Sequence, residues 1–370
     1  MQTRRRLLHA WTRQVRALLP AARATRVATL ALLTLGLLWA QHVALPRIAA
    51  AVPLGARDPS TERRLRRWLA NPAVTLATLW TPLLPSLLAG IAGPEVVFAF
   101  DLTPHGQRFT ILSLGLVCHK RVLPLGWRIM PQQTAWPEPL PDLLRAMAAP
   151  VQAALPAAVV VTVVADRGLV GHKVIDACQG LGWQVVLRLK TGGGAAAVAR
   201  LADGREQRVA ALPTQPGQRW DAPAAICKDA GWRAGYLTIR WDREAAAPLV
   251  LFSTRPGGSA RVREYRRRML AEASFQDCKT RGWQLERSKL AADRLERLLI
   301  AVALAFWWAH GLGLRAIHAG HRPRFDRTDR RDLSVIRLGR RWLDDLLAHD
   351  QRPPLPFRHP PPGWRFRWLA

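Results

Sequence analysis

The chain has 370 residues and a formal net charge of +29, from 55 lysines and arginines against 26 acidic residues. Its hydrophobic content of 49% excludes an intrinsically disordered chain and suffices for two or three folded domains. The excess of cations indicates a polyanionic partner, with nucleic acid favoured and an acidic membrane surface second. A GC-rich genome could replace lysine by arginine, but it would not explain the shortage of acids.

Residues 1–90 are predicted to form a helical DNA-binding domain. The stretch from Val27 to Pro46 contains no charged residue, and it reaches the roughly 20 residues that a membrane-spanning helix needs. Polar residues such as Thr34 and His42 interrupt this stretch, and the weakly hydrophobic alanine fills much of it. A buried helix is therefore favoured over a membrane anchor.

An arginine-rich helix is predicted at residues 62–70, with Ser60 or Thr61 as its N-cap. Its candidate contacts to the DNA backbone are Arg63, Arg64 and Arg67. A short basic helix is compatible with this role because guanidinium groups pair with phosphates. The alternative is an amphipathic helix with a solvated charged face, and the pattern alone does not decide between the two.

The period of the hydrophobic pattern changes near residue 95, where strands begin. We predict three strands with short turns, then a helix, a strand, a helix and a strand, at residues 96–100, 108–118, 122–130, 139–154, 157–165, 169–181 and 183–189. The first three strands form an antiparallel meander. This element order is that of an RNase H-like α/β fold, so residues 91–190 are assigned to the first part of such a core.

A β-rich insertion is predicted at residues 191–248, because a glycine run opens it and short alternating segments follow. The core resumes at residues 249–315 with a strand and two helices. Residues 316–370 are predicted to be a basic, proline-rich tail, whose residues 353–362 become ordered on binding or wrap around a partner.

Three acids are placed where a metal could bind. Asp101 follows one buried strand, Asp166 follows a second, and Glu272 lies on a helix after a third. A buried carboxylate needs a cation, a hydrogen-bond partner or a metal. Oxygen ligands without histidine or cysteine match Mg²⁺ or Mn²⁺, and a pair of such ions can cleave a phosphodiester. Taken singly, these acids could instead be a turn former, a helix cap and a surface acid.

The segment 265–279 would place four polar residues on one stripe if it formed a continuous helix. Tyr265, Arg268, Glu272 and Lys279 then fall within an arc of about 60°. An acid flanked by two cations and a phenol makes a poor core face. Arg268 and Lys279 are well placed on such a stripe to hold the phosphate under attack.

These residues carry a family resemblance over about residues 25–345. The chain resembles cut-and-paste insertion-sequence transposases with an Asp-Asp-Glu triad, in the subgroup marked by Tyr-x2-Arg-x3-Glu-x6-Lys. The segment 265–279 matches that pattern at every position. Asp101-Leu-Thr resembles the first-aspartate motif of the family, and Asp166-Arg-Gly resembles the second, although Leu169 stands where an aromatic residue is usual.

The resemblance implies recognition of element ends, metal-dependent strand cleavage and joining to target DNA. It implies that Asp101, Asp166 and Glu272 are the catalytic residues and hold the metal, as two Mg²⁺ or Mn²⁺ ions. The implied DNA contacts are Tyr265, Arg268, Lys279 and Arg167. Some relatives stack a flipped base on a tryptophan of the insertion, for which Trp241 is the candidate, with Trp220 and Trp232 behind it. A structural tryptophan is the alternative.

The predicted partners are double-stranded DNA, as element ends and target, and a second copy of the chain on paired ends, without a membrane. Four scattered cysteines favour a reducing compartment, and the resemblance implies a bacterial cytoplasm at the nucleoid. Three alternatives remain open from the sequence. They are an RNase H-like nuclease without strand transfer, a catalytically inactive DNA-binding protein derived from a transposase, and a membrane-anchored basic protein.

Overall fold

A computed structural model of the chain describes residues 2–54, 58–91, 93–192, 196–212, 215–280 and 282–356. Two predicted segments lie partly outside these residues: the glycine run at the start of the insertion and the proline-rich tail, from residue 357 onward. The helices are α1 (Gln2–Leu18), α2 (Ala24–Ala40), α3 (Leu45–Ala51), α4 (Asp58–Ala70), α5 (Leu76–Leu79), α6 (Leu84–Leu88), α7 (Leu140–Ala154), α8 (His172–Gln179), α9 (Gly258–Arg266), α10 (Met269–Cys278), α11 (Ala292–His318) and α12 (Val335–Ala348).

The strands are β1 (Glu95–His105), β2 (Phe109–Cys118), β3 (Arg121–Pro131), β4 (Val160–Ala165), β5 (Gln184–Arg188), β6 (Val198–Leu201), β7 (Glu206–Arg208), β8 (Arg219–Ile226), β9 (Arg233–Arg240) and β10 (Leu249–Ser253). They form one mixed sheet in the order β3-β2-β1-β4-β5-β10-β9-β8-β6-β7. The strands of the predicted insertion, β6 to β9, thus extend the same sheet through β10 rather than standing apart from it.

Helix α2 is buried between other helices, as the sequence analysis favoured for residues 27–46. The helix is apolar on nearly all sides, which is typical of an interior helix. Its C-cap is Gln41, which adopts the left-handed conformation. The axis of α3 then makes an angle of 91° with that of α2. Helix α11 is also long and apolar enough to cross a membrane by length and composition, but most of it is buried within the protein.

Helix α4 begins one turn earlier than predicted. It starts at Asp58, so Ser60 and Thr61 lie inside the helix and the predicted N-cap is wrong. Leu65, Trp68 and Leu69 are the buried face that holds the helix on the domain. The apolar spacing sets the face of a helix but leaves its first turn open, because early turns carry few apolar residues.

The register of the sheet brings the two predicted strand-end aspartates together. β1 and β4 are parallel, with Phe100 opposite Ala165, so Asp101 and Asp166 come next on neighbouring strands. The prediction that β1 stops at Asp101 is wrong. The strand continues to His105 because β2 goes on pairing with it on the other side after β4 has ended.

The helix predicted over residues 265–279 is interrupted. α9 ends at Arg266 and α10 begins at Met269, and between them the backbone bonds tighten to the i to i−3 pattern at Arg267 and Arg268. Lys279 lies beyond the end of α10 with a non-helical backbone. The prediction that these four residues share one stripe of a continuous helix is therefore wrong.

The tail predicted for residues 316–370 contains helix α12, which packs against α11. Two glycines permit this close approach. A Cβ on Gly339 would lie 1.9 Å from the Ala309 carbonyl oxygen, and one on Gly313 would lie 2.0 Å from the Val335 carbonyl oxygen. The buried face of α12 includes Ile336 and Leu343. This part of the chain is thus structured through its packing on α11.

Candidate active site

Asp101 is a buried carboxylate held by two donors. Its residue is 7% exposed. The Leu102 backbone N–H donates to Oδ1 at 2.9 Å, and Arg268 Nη1 donates to Oδ2 at 3.0 Å. Burial raises the pKa of Asp101, although the Arg268 guanidinium acts in the opposite direction. This aspartate is therefore a desolvated anion that depends on a nearby cation.

Asp166 is stabilised in its charged form. The Tyr265 hydroxyl donates to Asp166 Oδ1 at 3.0 Å. Partial burial would raise the pKa of Asp166, but hydrogen bonds from the Arg167 backbone and Tyr265, with the charge of Arg268, outweigh it and lower that pKa. Burial and the neighbouring carboxylate raise the pKa of Tyr265 to about 12, so this phenol stays protonated as a donor.

Arg268 links the third predicted acid to the first. Its Nη2 donates to Glu272 Oε1 at 3.2 Å, so one guanidinium spans Asp101 and Glu272. The Glu272 side chain is 57% exposed, whereas that of Arg268 is 8% exposed. Within the described ranges, no group of three His, Cys, Asp or Glu residues is close enough to hold a metal ion. The structure thus brings two of the predicted acids side by side and joins the third to them through Arg268.

Lys279 also turns inward. Its Nζ donates to Thr103 Oγ1 at 3.0 Å and to the Pro104 carbonyl, and it lies 3.2 Å from Glu286 Oε1. Thr103 shares a face of β1 with Asp101, because alternate strand residues point the same way. The sequence analysis missed Thr103 and Glu286. Two-residue spacing from Asp101 could have indicated Thr103, but nothing in the sequence pairs Glu286 with the strand.

The other predicted DNA contacts differ in exposure. Arg167, Arg63 and Arg67 are exposed. Arg64 is half-buried, and its Nε donates to Thr29 Oγ1 at 2.9 Å, which ties α4 to α2. Burial lowers the pKa of Arg64. The structure therefore assigns Arg64 a packing contact and leaves the other three arginines accessible.

Each candidate tryptophan already has a partner. Trp241 is half-buried just after β9, and its Nε1 donates to the Ala245 carbonyl at 2.9 Å. The Arg200 guanidinium lies 4.8 Å from the centre of the Trp232 ring. Trp220 packs on the hydrophobic core from β8. The base-flipping role stays a prediction for all three.

The donor chemistry of the site suits a hard divalent cation. Asp101 within β1 and Asp166 just after the neighbouring β4 supply carboxylate oxygens, and such ligands favour Mg²⁺ or Mn²⁺ over softer metals. The exposed Glu272 side chain can turn about its rotatable bonds, whereas the aspartates are fixed on the sheet. The three acids thus offer the ligand types that suit such an ion, while in the present contacts Glu272 is bound to Arg268.

The mixed sheet and the carboxylates on its neighbouring strands β1 and β4 define an α/β protein with acidic ligands of the type that suits a divalent cation. The chain matches the family described as Transposase DDE domain over residues 98–308, more than half of its length. It belongs to this transposase family. Membership implies an enzyme of the transposase kind that acts on DNA, and such enzymes generally use divalent metals. A comparison with curated proteins finds no match.

Proposed function

We propose that the chain cleaves DNA strands at the ends of a mobile element and joins them to target DNA, in the cut-and-paste manner. The observation that carries this proposal is the placement of Asp101 and Asp166 at corresponding positions on the neighbouring β1 and β4, directly after the Phe100–Ala165 pair, with Glu272 tied to Asp101 by a shared arginine. The strand order β3-β2-β1-β4-β5, with β1, β4 and β5 parallel, supports an RNase H-like core for this chemistry.

Asp101, Asp166 and Glu272 are the proposed metal ligands. When bound, one or two Mg²⁺ or Mn²⁺ ions supply activation of a water or 3′-hydroxyl and stabilisation of the leaving oxygen. Tyr265 holds the Asp166 carboxylate in its charged form and fixed orientation. Release of Glu272 from Arg268 leaves the Arg268 Nη2 group free to donate to a phosphate oxygen of the DNA end.

Lys279 has a positioning role in the present contacts and a phosphate-binding role in the proposed complex. Its ammonium group contacts Thr103, on the face of β1 that carries Asp101, and lies 3.2 Å from Glu286, which is outside the sheet. A phosphate that approaches Asp101 would compete with Glu286 for this cation. Arg167, exposed beside Asp166, is a further proposed backbone contact.

The N-terminal helices are the proposed element-end binding region. Arg63 and Arg67 line a shallow pocket of about 390 Å³ on α4, together with Arg66 and Ser60. Such a cluster suits a phosphate backbone because it concentrates cations on one exposed face. Action on paired ends requires two copies of the chain, so we propose a homodimer on DNA, working in the bacterial cytoplasm. The free cysteines of the described residues fit a reducing compartment.

Product analysis tests the proposal against its rivals. A duplex taken from the DNA that flanks the gene, as the candidate element end, is incubated with the protein, Mg²⁺ and a supercoiled target plasmid. Joined products with the 3′ end of this duplex in target DNA support a transposase. Cleavage without joining favours an RNase H-like nuclease. Binding without either product favours an inactive DNA-binding protein.

A further inference from the structure

A strongly basic groove lies outside the carboxylate site. It has a volume of about 550 Å³ and runs between the turn after α2, the segment that follows α10, and α12. The arginines among its described lining residues are Arg47, Arg287, Arg337, Arg340 and Arg341, and none of those lining residues is acidic. These arginines come from three separate parts of the chain, so folding assembles the cluster.

Arg340 is the most informative member of this cluster. It is 7% exposed, and its guanidinium lies 5.6 Å from the centre of the Trp283 ring. Its Nε has no hydrogen-bond partner among the described residues. A buried cation is costly unless nearby groups or a bound anion offset its charge. An anion in the groove that Arg340 lines would offset part of this buried charge.

The two acids whose charges act on Arg340 accept hydrogen bonds from other residues. Asp277 accepts from Arg121 Nε at 2.6 Å and from Ser334 Oγ at 3.0 Å. Asp344 accepts from the Gln41 side-chain amide at 3.2 Å. Both acids offset part of the burial that lowers the pKa of Arg340, but no described hydrogen bond joins either of them to it.

The remaining described lining of the groove includes Gly282 and His42. Gly282 lies so near the Asp277 carbonyl oxygen that a Cβ would sit 1.5 Å away. His42 accepts the Ala44 backbone N–H on Nδ1 at 2.9 Å. Burial, with Arg47 and Arg287, lowers the pKa of His42, so the neutral ring carries its hydrogen on Nε2 and adds a neutral donor to the arginines.

We propose that this groove binds the phosphate backbone of duplex DNA next to the segment that is cut. The proposal rests on the proposed function, since it names the place where the same DNA continues. Lys279 contacts β1 beside Asp101, and the next residue, Thr280, already lines the groove. The summed positive charge of the groove arginines exceeds the negative charge of one free phosphate. The successive phosphates of a duplex present a row of negative charges that can pair with several arginines.

The test compares two double variants that lose equal charge. Arg287→Gln with Arg337→Gln alters the groove, and Arg145→Gln with Arg205→Gln alters exposed arginines elsewhere. Binding of a fluorescein-labelled duplex is measured by anisotropy over a range of salt concentrations, with EDTA present. The groove variant is expected to bind more weakly and to lose about 1 unit of the salt slope per phosphate contact, hence about 2. The control is expected to keep the wild-type slope.

Equal slopes for the groove variant and the control would overturn the proposal. A second measurement uses inorganic phosphate as the probe and records thermal unfolding of wild type and Arg340→Gln. Stabilisation by phosphate that requires Arg340, with unchanged DNA slopes, would assign the groove to a free anion instead. Because EDTA suppresses cleavage, the salt slope reports binding alone. A reduced slope for the groove variant, together with no cleavage or joining by the wild-type protein in Mg²⁺, would refute the proposed function while leaving the groove assignment standing.

Discussion

Arg268 is the residue on which the arrangement of the acidic centre depends. It neutralises the buried Asp101 and also holds the exposed Glu272. Burying an ion pair costs desolvation energy for both partners. Removal of one partner leaves the other charge buried and uncompensated, and this costs far more stability than an exposed ion pair contributes. In this state the arginine supplies the positive charge that the carboxylates need.

Arg268→Ala is expected to destabilise the fold by about 3–5 kcal/mol, because Asp101 is left buried without its cation. Urea denaturation at neutral pH measures this difference. Arg145→Ala is the matched control, since Arg145 pairs with Asp142 at the surface and its loss is expected to cost at most about 1 kcal/mol. Similar small losses for both variants would show that Asp101 does not rely on Arg268.

Tyr265→Phe is expected to reduce stability by about 1.5–3 kcal/mol at neutral pH, because it removes a hydrogen bond to a charged carboxylate. Asp166 has a pKa below its ordinary value of about 3.9 in the folded protein. Its stabilisation is therefore present above about pH 4 and is lost as the pH falls through the folded-state pKa.

The measurement is the free energy of unfolding of wild type and Tyr265→Phe from pH 7 down to pH 3. The difference between them should shrink below about pH 4. Tyr236→Phe changes the other tyrosine of the chain and is expected to show no such pH dependence. A gap for Tyr265→Phe that stays constant across the whole range would contradict the assigned hydrogen bond.

At the scale of elements, the packing of α12 on α11 forms one wall of the basic groove. Gly339→Ala is expected to cost about 1–3 kcal/mol or more, because its Cβ would overlap the Ala309 carbonyl and push the helices apart. Gly311→Ala on α11 is the matched control: its Cβ would meet no atom within 4 Å, and alanine is the better helix former by about 1 kcal/mol. Thermal unfolding that ranks Gly311→Ala below Gly339→Ala would contradict this packing.

The sequence predicts elements well where their pattern is local. β4 is a run of β-branched residues that leads directly to Asp166, so both the strand and its terminal acid could be read from the sequence. The break at Arg267 and Arg268 could not be read, because the 3.6-residue period assumes a continuous helix. The inward turn of Lys279 depends on the end of α10 and on Thr103, which lies 176 residues away.

At the scale of the whole molecule, the net charge of +29 correctly leads to a family that acts on DNA. The location of the cations could not be predicted in the same way. Arg47, Arg287 and Arg340 are far apart in sequence, and no pattern in a single chain predicts that they line one groove. Long-range contacts thus bring distant arginines together at particular sites, such as the groove beside α12. The exposed face of α4 is a second concentration of positive charge.

The central claim is that the carboxylates of Asp101, Asp166 and Glu272 support metal-dependent DNA cleavage. It is tested most directly by the rate of Mg²⁺-dependent strand cleavage of an element-end duplex, for wild type, Asp166→Asn and Asp176→Asn. Asp176 lies on α8 and pairs with Arg233 away from the site. Asp166→Asn is expected to abolish cleavage, whereas Asp176→Asn is expected to retain it. Cleavage by Asp166→Asn at the wild-type rate would contradict the account.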